Sequence, residues 1–142
     1  MTNQKGIGTS VVSLVIPAKA EYIALGRLAV TGLLRPRAVE PEVIADVKLA
    51  LTEACSNSIR HAYADGRDGE VEIRYELADS TLAVEVSDEG RGFDPALLDA
   101  DPGRLDEGGL GIAIIRAVTD DLSIGPRTGG TGYRVRFTKN LG

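Results

Sequence analysis

The chain is predicted to fold as an α+β domain, one mostly antiparallel sheet carrying helices on a single face. Three observations predict it. Residues 11–16, VVSLVI, are β-branched and apolar and precede two stretches of helical period; EVEIRYEL and TLAVEVSD alternate apolar with polar residues on either side of ADS; and a short apolar helix near the end is followed by two further strand candidates, DLSIG and GYRVRFT. The resulting order, strand, two helices, hairpin, long loop, helix, hairpin, closes most simply as two layers.

The first strand ends at Pro17, a residue confined to sheet edges and strand ends because it cannot donate to the ladder. Over residues 18–34, Tyr22, Ile23, Leu25, Leu28, Ala29 and Leu33 recur at helical spacing, and RPRAVEP turns the chain. A second, longer helix starts at Pro41, whose fixed φ suits a first turn, with Glu42 beside the positive end of the dipole, and runs to about Tyr63. Its residues Val43, Val47, Ala50, Ala54 and Ile59 make an apolar stripe for the sheet. DGRDG at 65–69 is a turn, and ADS joins the hairpin. After Asp88 come about twenty residues rich in Gly, Asp and Pro, longer than an ordinary connection and therefore functional. Residues 110–118 form the last helix.

At 142 residues, 43% apolar and 26% charged, the composition is that of one globular domain spanning 1–142, with residues 1–9 expected as a flexible N-terminus. The net charge is −5 and the Lys and Arg residues are scattered, which argues against direct nucleic-acid binding, since phosphate backbones need clustered cations. MTNQKGIGTS lacks the pattern of a secretion signal and VVSLVIP is too short for a bilayer, so a cytoplasmic location without membrane contact is expected. Cys55, the single cysteine, excludes an internal disulfide and reads as a buried, inert thiol. One histidine and one cysteine are too few ligands for zinc hydrolysis. No GxxxxGK[ST] run and no strand followed by GxGxxG are present, which excludes a P-loop and disfavours a dinucleotide fold. No G-x-S-x-G elbow presents a serine nucleophile.

Four constellations remain. In EACSNSIRH, Glu53, Asn57 and His61 are spaced i, i+4, i+8 and share one face of the second helix. DEGRG places Asp88 at the end of an alternating strand, where its carboxylate accepts a ligand hydrogen bond and Gly90 and Gly92 permit close backbone approach. Gly108, Gly109, Leu110 and Gly111 feed a helix N-terminus, whose free N–H groups and dipole favour phosphate. TGGTG, with Thr131, reads first as a hairpin turn. Singly, each has an ordinary structural explanation.

Together, in this order and over nearly all of the chain, EACSNSIRH, DEGRG, EGGLG and GTGYRVRF resemble the N box and glycine motifs of the GHKL ATPases, the superfamily of gyrase and the histidine kinases. The wording EACSNSIRHAY and EGGLGIAIIRAVTDDLSI is similar to the anti-sigma factor serine/threonine kinase family. The resemblance implies the Bergerat-type two-layer sandwich, with a mixed, mostly antiparallel sheet. It implies ATP and Mg²⁺ as cofactors, and a homodimer that holds a sigma factor and phosphorylates a serine of an anti-anti-sigma antagonist with a STAS-like domain. Under it Glu53 is the catalytic base, Asn57 binds Mg²⁺, Asp88 binds the adenine amino group with help from Thr131, and Gly90 and Gly92 admit the adenosine. Gly108, Gly109, Leu110 and Gly111 cradle the phosphates, residues 94–107 form an ATP lid, and Arg27 contacts the protein partners. One departure stands out: some members carry an arginine just before the last helix, whereas here Asp106 and Glu107 occupy that place and Arg104 is the nearest cation. Two alternatives stay open, a related partner-switching kinase acting on a scaffold and a switch that binds ATP without turnover.

Overall fold

The computed structural model describes residues 9–63, 68–89, 109–127 and 131–142. Gly90, Gly92, Gly108, the expected lid at 94–107, Arg104 and the His61 side chain lie outside that description.

Strand β1, Ser10–Pro17, leads through a 3₁₀ turn at Ala20–Tyr22 into helix α1, Ile23–Leu34. The helical stretch expected from residue 18 therefore begins only at Ala20, because Lys19 is extended (φ −134°, ψ 138°), and its first turn is 3₁₀ before α1 begins. A second 3₁₀ turn at Arg35–Arg37 ends with Ala38 at φ 53°. Helix α2, Pro41–Ala62, follows, with Pro41 in the first turn as expected. Then come β2, Glu70–Leu77, β3, Thr81–Asp88, α3, Gly109–Val118, β4, Asp121–Pro126, and β5, Tyr133–Asn140.

The strands form one sheet in the order β1-β2-β3-β5-β4, and all four neighbouring pairs are antiparallel. Because β3 and β4 both run antiparallel to β5, they share a direction with β5 laid between them. This insertion is how a strand-helix-strand connection occurs here without a parallel neighbour. β1 occupies the edge, as Pro17 foretold.

Register decides which side chains meet the helices. Val71, Ile73, Tyr75 and Leu77 of β2 face the same way as Leu82, Val84 and Val86 of β3 and as Val135 and Phe137 of β5. All are buried, and they pack with Val30 and Leu34 of α1, with Val47, Ala50, Leu51, Ala54 and Cys55 of α2, and with Ile112 and Ile115 of α3. Burial pushes the Cys55 thiol up to about 12, so the sulfur is an inert core atom. The opposite face is charged: Arg136 grips Glu76 through two hydrogen bonds of 3.0 and 3.1 Å, and Arg74 adds a third at 3.1 Å.

Two tethers fix the helix layer. Tyr75 Oη donates to the Gly26 carbonyl at 2.9 Å, and a side chain at Gly26 would come within 3.0 Å of Ile73 Cδ1 and 3.1 Å of Leu51 Cδ2. Lys139 Nζ donates to the Val118 carbonyl at 2.7 Å and to Asp46 at 3.1 Å, closing the negative end of α3 and binding it to α2. Gly26→Val is expected to overpack the α1 contact and lower stability by about 1–3 kcal/mol. Chemical denaturation checks it: the midpoint falls and the slope is unchanged.

Candidate functional site

Asp88 is where the apolar alternation of β3 turns polar. It is in phase with Leu82, Val84 and Val86, so its carboxylate points into the helix-covered side of the sheet, and it is 1% exposed. A carboxylate there is costly unless donors meet it. The β5 backbone supplies one: Tyr133 N–H donates to Asp88 Oδ1 at 3.4 Å.

That approach depends on Gly132, which has φ +107°, a conformation costly for any residue with a side chain. A Cβ at Gly132 would also overlap the Asp88 carbonyl oxygen. The glycine expected only to turn a hairpin therefore sits directly against the Asp88 backbone. Thr131, its neighbour, is exposed.

Asn57 comes from the other layer. Although it lies on the expected polar stripe of α2, it is fully buried rather than solvated, because Tyr133 covers it. Its Nδ2 donates to Tyr133 Oη, and its Oδ1 has no hydrogen-bond partner among the described residues. Burial, assisted by the Asp88 charge, pushes the Tyr133 phenol well above its usual range, and Ser58 and Arg60 offset only part of that. Tyr133 thus joins the two layers, its phenol oxygen accepting from Asn57 of the helix layer and its backbone N–H donating to Asp88 of the sheet. Tyr133 was absent from the expected site, yet a signal existed: it is in phase with Val135 and Phe137 on β5 and follows the last glycine motif.

Glu53, one turn before Asn57, lies beside the start of α3, where a Cβ added to Gly111 would stand 3.1 Å from Glu53 Oε1. Gly109, Leu110 and Gly111 form the first turn of α3, with Leu110 exposed. At the far end of α2, Tyr63 Oη donates to the Glu70 carbonyl at 2.8 Å and accepts from Glu89 N–H at 3.3 Å, tying the helix to the strand ends around Asp88. Arg27 stands apart on α1, half-exposed and without a hydrogen bond or ion pair to any described residue.

The structure thus gathers Asn57, Asp88 and Gly132 around Tyr133, and brings Glu53 to the N-terminus of α3. Among the described residues no three His, Cys, Asp or Glu side chains cluster to hold a metal, so a cation here needs ligand oxygens from elsewhere, as Mg²⁺ on phosphates does. The unpartnered Asn57 Oδ1 is the neutral oxygen donor that a hard cation accepts. Gly132→Ala is expected to cost about 1–3 kcal/mol through its positive φ, with the overlap on Asp88 added. Thermal unfolding measures it; a variant as stable as the parent would show that Gly132 and Asp88 do not meet.

Comparison with known proteins agrees with this arrangement. The family description of the histidine kinase-like ATPase domain matches residues 16–139. The serine-protein kinase RsbW of Listeria innocua is 35% identical over 122 residues, covering 80% of this chain and 78% of the relative. Its counterpart in Bacillus subtilis is 33% identical over 139 residues, covering 92% and 85%. The crystal structure of the RsbU and RsbW domains of a Mycobacterium tuberculosis protein superposes with a TM-score of 0.68 at 20% identity, over 93% of this chain and 32% of that one. This chain spans about a third of that solved chain, and the likeness concerns the fold. Domain match, relatives and fold converge: the chain belongs to the histidine kinase-like ATPase domain family, on the branch of the RsbW serine-protein kinases.

Proposed function

We propose that the chain binds Mg·ATP between α2 and the β3 end and transfers the γ-phosphoryl group to a serine of an anti-anti-sigma antagonist, holding a sigma factor when the antagonist is absent. The observation that carries this is the buried Asn57 carboxamide with its oxygen unpartnered, one helical turn from a carboxylate at the N-terminus of α3. Kinase activity is supported by the names of the relatives.

The roles follow from chemistry. Asp88, buried and fixed by β5, accepts a hydrogen bond from the adenine amino group, and the exposed Thr131, next in sequence to the Gly132 that meets Asp88, assists. The first turn of α3, Gly109 to Gly111 with Leu110, offers N–H groups and the positive dipole end to the phosphates. Gly90, Gly92 and Gly108 are assigned to the same nucleotide on their motifs alone. Asn57 Oδ1 would hold Mg²⁺, which when bound would neutralise phosphate charge. Glu53 takes the proton from the serine hydroxyl as its oxygen bonds to the γ-phosphorus; the bond to the bridging oxygen breaks and ADP leaves.

The partner surfaces are proposed on α1 and β1. Leu25 and Leu28, both exposed and one helical turn apart, give α1 an apolar patch, and the half-exposed Arg27 adds a cation to the same helix. Edge strand β1 exposes Val11, Val12 and Val15, a surface suited to a homodimer contact. No helix among the described residues is long and apolar enough to cross a membrane.

Incubation with γ-labelled ATP and candidate antagonists tests the reading: label on a serine supports it, and tight nucleotide binding without label would leave a switch without turnover. Glu53→Gln is expected to lower transfer by about 10²- to 10⁴-fold, the usual share of a general base, with nucleotide affinity largely kept. An unchanged single-turnover rate would remove Glu53 from the mechanism.

A further inference from the structure

Tyr133 occupies a position that the reaction chemistry does not account for. It is a large polar residue, 2% exposed, at the start of a strand whose next two inward positions, Val135 and Phe137, are hydrocarbon. Its two polar groups are spent on the two residues assigned to opposite ends of the nucleotide. The phenol oxygen accepts from Asn57 Nδ2, and the backbone N–H donates to Asp88 Oδ1.

We infer that Tyr133 is a positioning residue that presents Asn57 Oδ1 to the metal and couples the metal end of the site to its purine end. The inference rests on the Mg·ATP reading above.

The argument starts from the carboxamide. An asparagine side chain ends in a broad, weakly restrained torsion, so a buried Asn with one free end can turn its plane unless the other end is held. Here Nδ2 is held by the phenol and Oδ1 is left without a partner among the described residues. The phenol oxygen accepts from the amide as an uncharged group. Tyr133→Phe would nearly preserve the packing volume and remove the hydroxyl that meets Asn57 and Ser58. The backbone bond to Asp88, made by the N–H of the same residue, would survive that change.

A residue that orients a metal ligand acts on metal affinity while touching neither metal nor substrate. Its loss should therefore appear in the magnesium-dependent part of nucleotide affinity. A merely structural role would weaken binding equally with and without magnesium.

The test titrates the full chain with a fluorescent ATP analogue in MgCl₂ and in EDTA. Tyr133→Phe is expected to lose about ten- to a hundredfold of the affinity gained from magnesium, the usual cost of removing a ligand's supporting hydrogen bond, with EDTA binding unchanged. In an Asn57→Ala background the same substitution should add nothing. Full retention of the magnesium gain, equal loss in both buffers, or an undiminished effect on top of Asn57→Ala would each overturn the inference. Parent protein whose nucleotide affinity ignores magnesium would overturn the underlying reading as well, so the two failures are distinguishable. If Tyr133→Phe does not fold, the parent labelled with fluorotyrosine decides. The resonance displaced by Asn57→Ala should move with Mg·ATP and stay still with ATP in EDTA, and a resonance indifferent to magnesium would overturn the proposal.

Discussion

A buried carboxylate on the hydrocarbon side of a sheet is the constraint around which this molecule is arranged. Asp88 takes the fourth inward position of β3, after Leu82, Val84 and Val86, at a place where ionised groups are stable only among donors. Meeting that demand forces β5 close, and closeness forces a glycine with positive φ at 132. The next residue then lands beneath the helix layer, where only a side chain both large and able to hydrogen-bond fits between Asp88 and Asn57. Sheet register, glycine and tyrosine are thus consequences of one another.

Helix α2 answers from above with a division of labour set by its period. Val47, Ala50, Leu51 and Ala54 are fully buried against the sheet, and a large aliphatic group so placed is worth about 1.5–3 kcal/mol. Glu53 and Asn57, rotated off that stripe, project toward α3 and β5. Core packing therefore sets how accurately the two polar groups are aimed. Lys139 extends the same control to α3 by joining its carbonyl end to Asp46 on α2. The charged outer face contributes less, since half-exposed ion pairs are worth at most about 1 kcal/mol each, although Arg136 does hold the Glu76 carboxyl below its ordinary range.

Local pattern was enough to find most elements. The Pro41 start of α2, the two alternating segments around ADS and the edge character of β1 follow from residue chemistry at short range, and all three recur in the fold. What stayed hidden required knowledge of long-range pairing. Periodicity cannot reveal that β5 enters between β3 and β4, so it could not place Tyr133 beside Asn57, 76 positions away. For the same reason pattern alone could place Asn57 on the polar face of α2 and TGGTG in a turn, without the cover that β5 lays over the one or the contact Asp88 makes with the other. The extended Lys19 that delays the first helical stretch has no strong signature, since lysine is a good helix former.

The late arrival of β5 has a bearing on how the protein comes into being. β4 has no neighbour in the sheet other than β5, and the β3 edge stays open until residues as distant as Asn140 pair with Thr81. Contacts of such separation close slowly, so the half-built sheet on a nascent chain has its carboxylate and carboxamide in place with nothing to join them. The junction of Asn57, Tyr133 and Asp88 is then complete only when β5 has joined the sheet. Occupancy by a ligand becomes a certificate of finished folding, and mass action passes its binding energy to every strand at once.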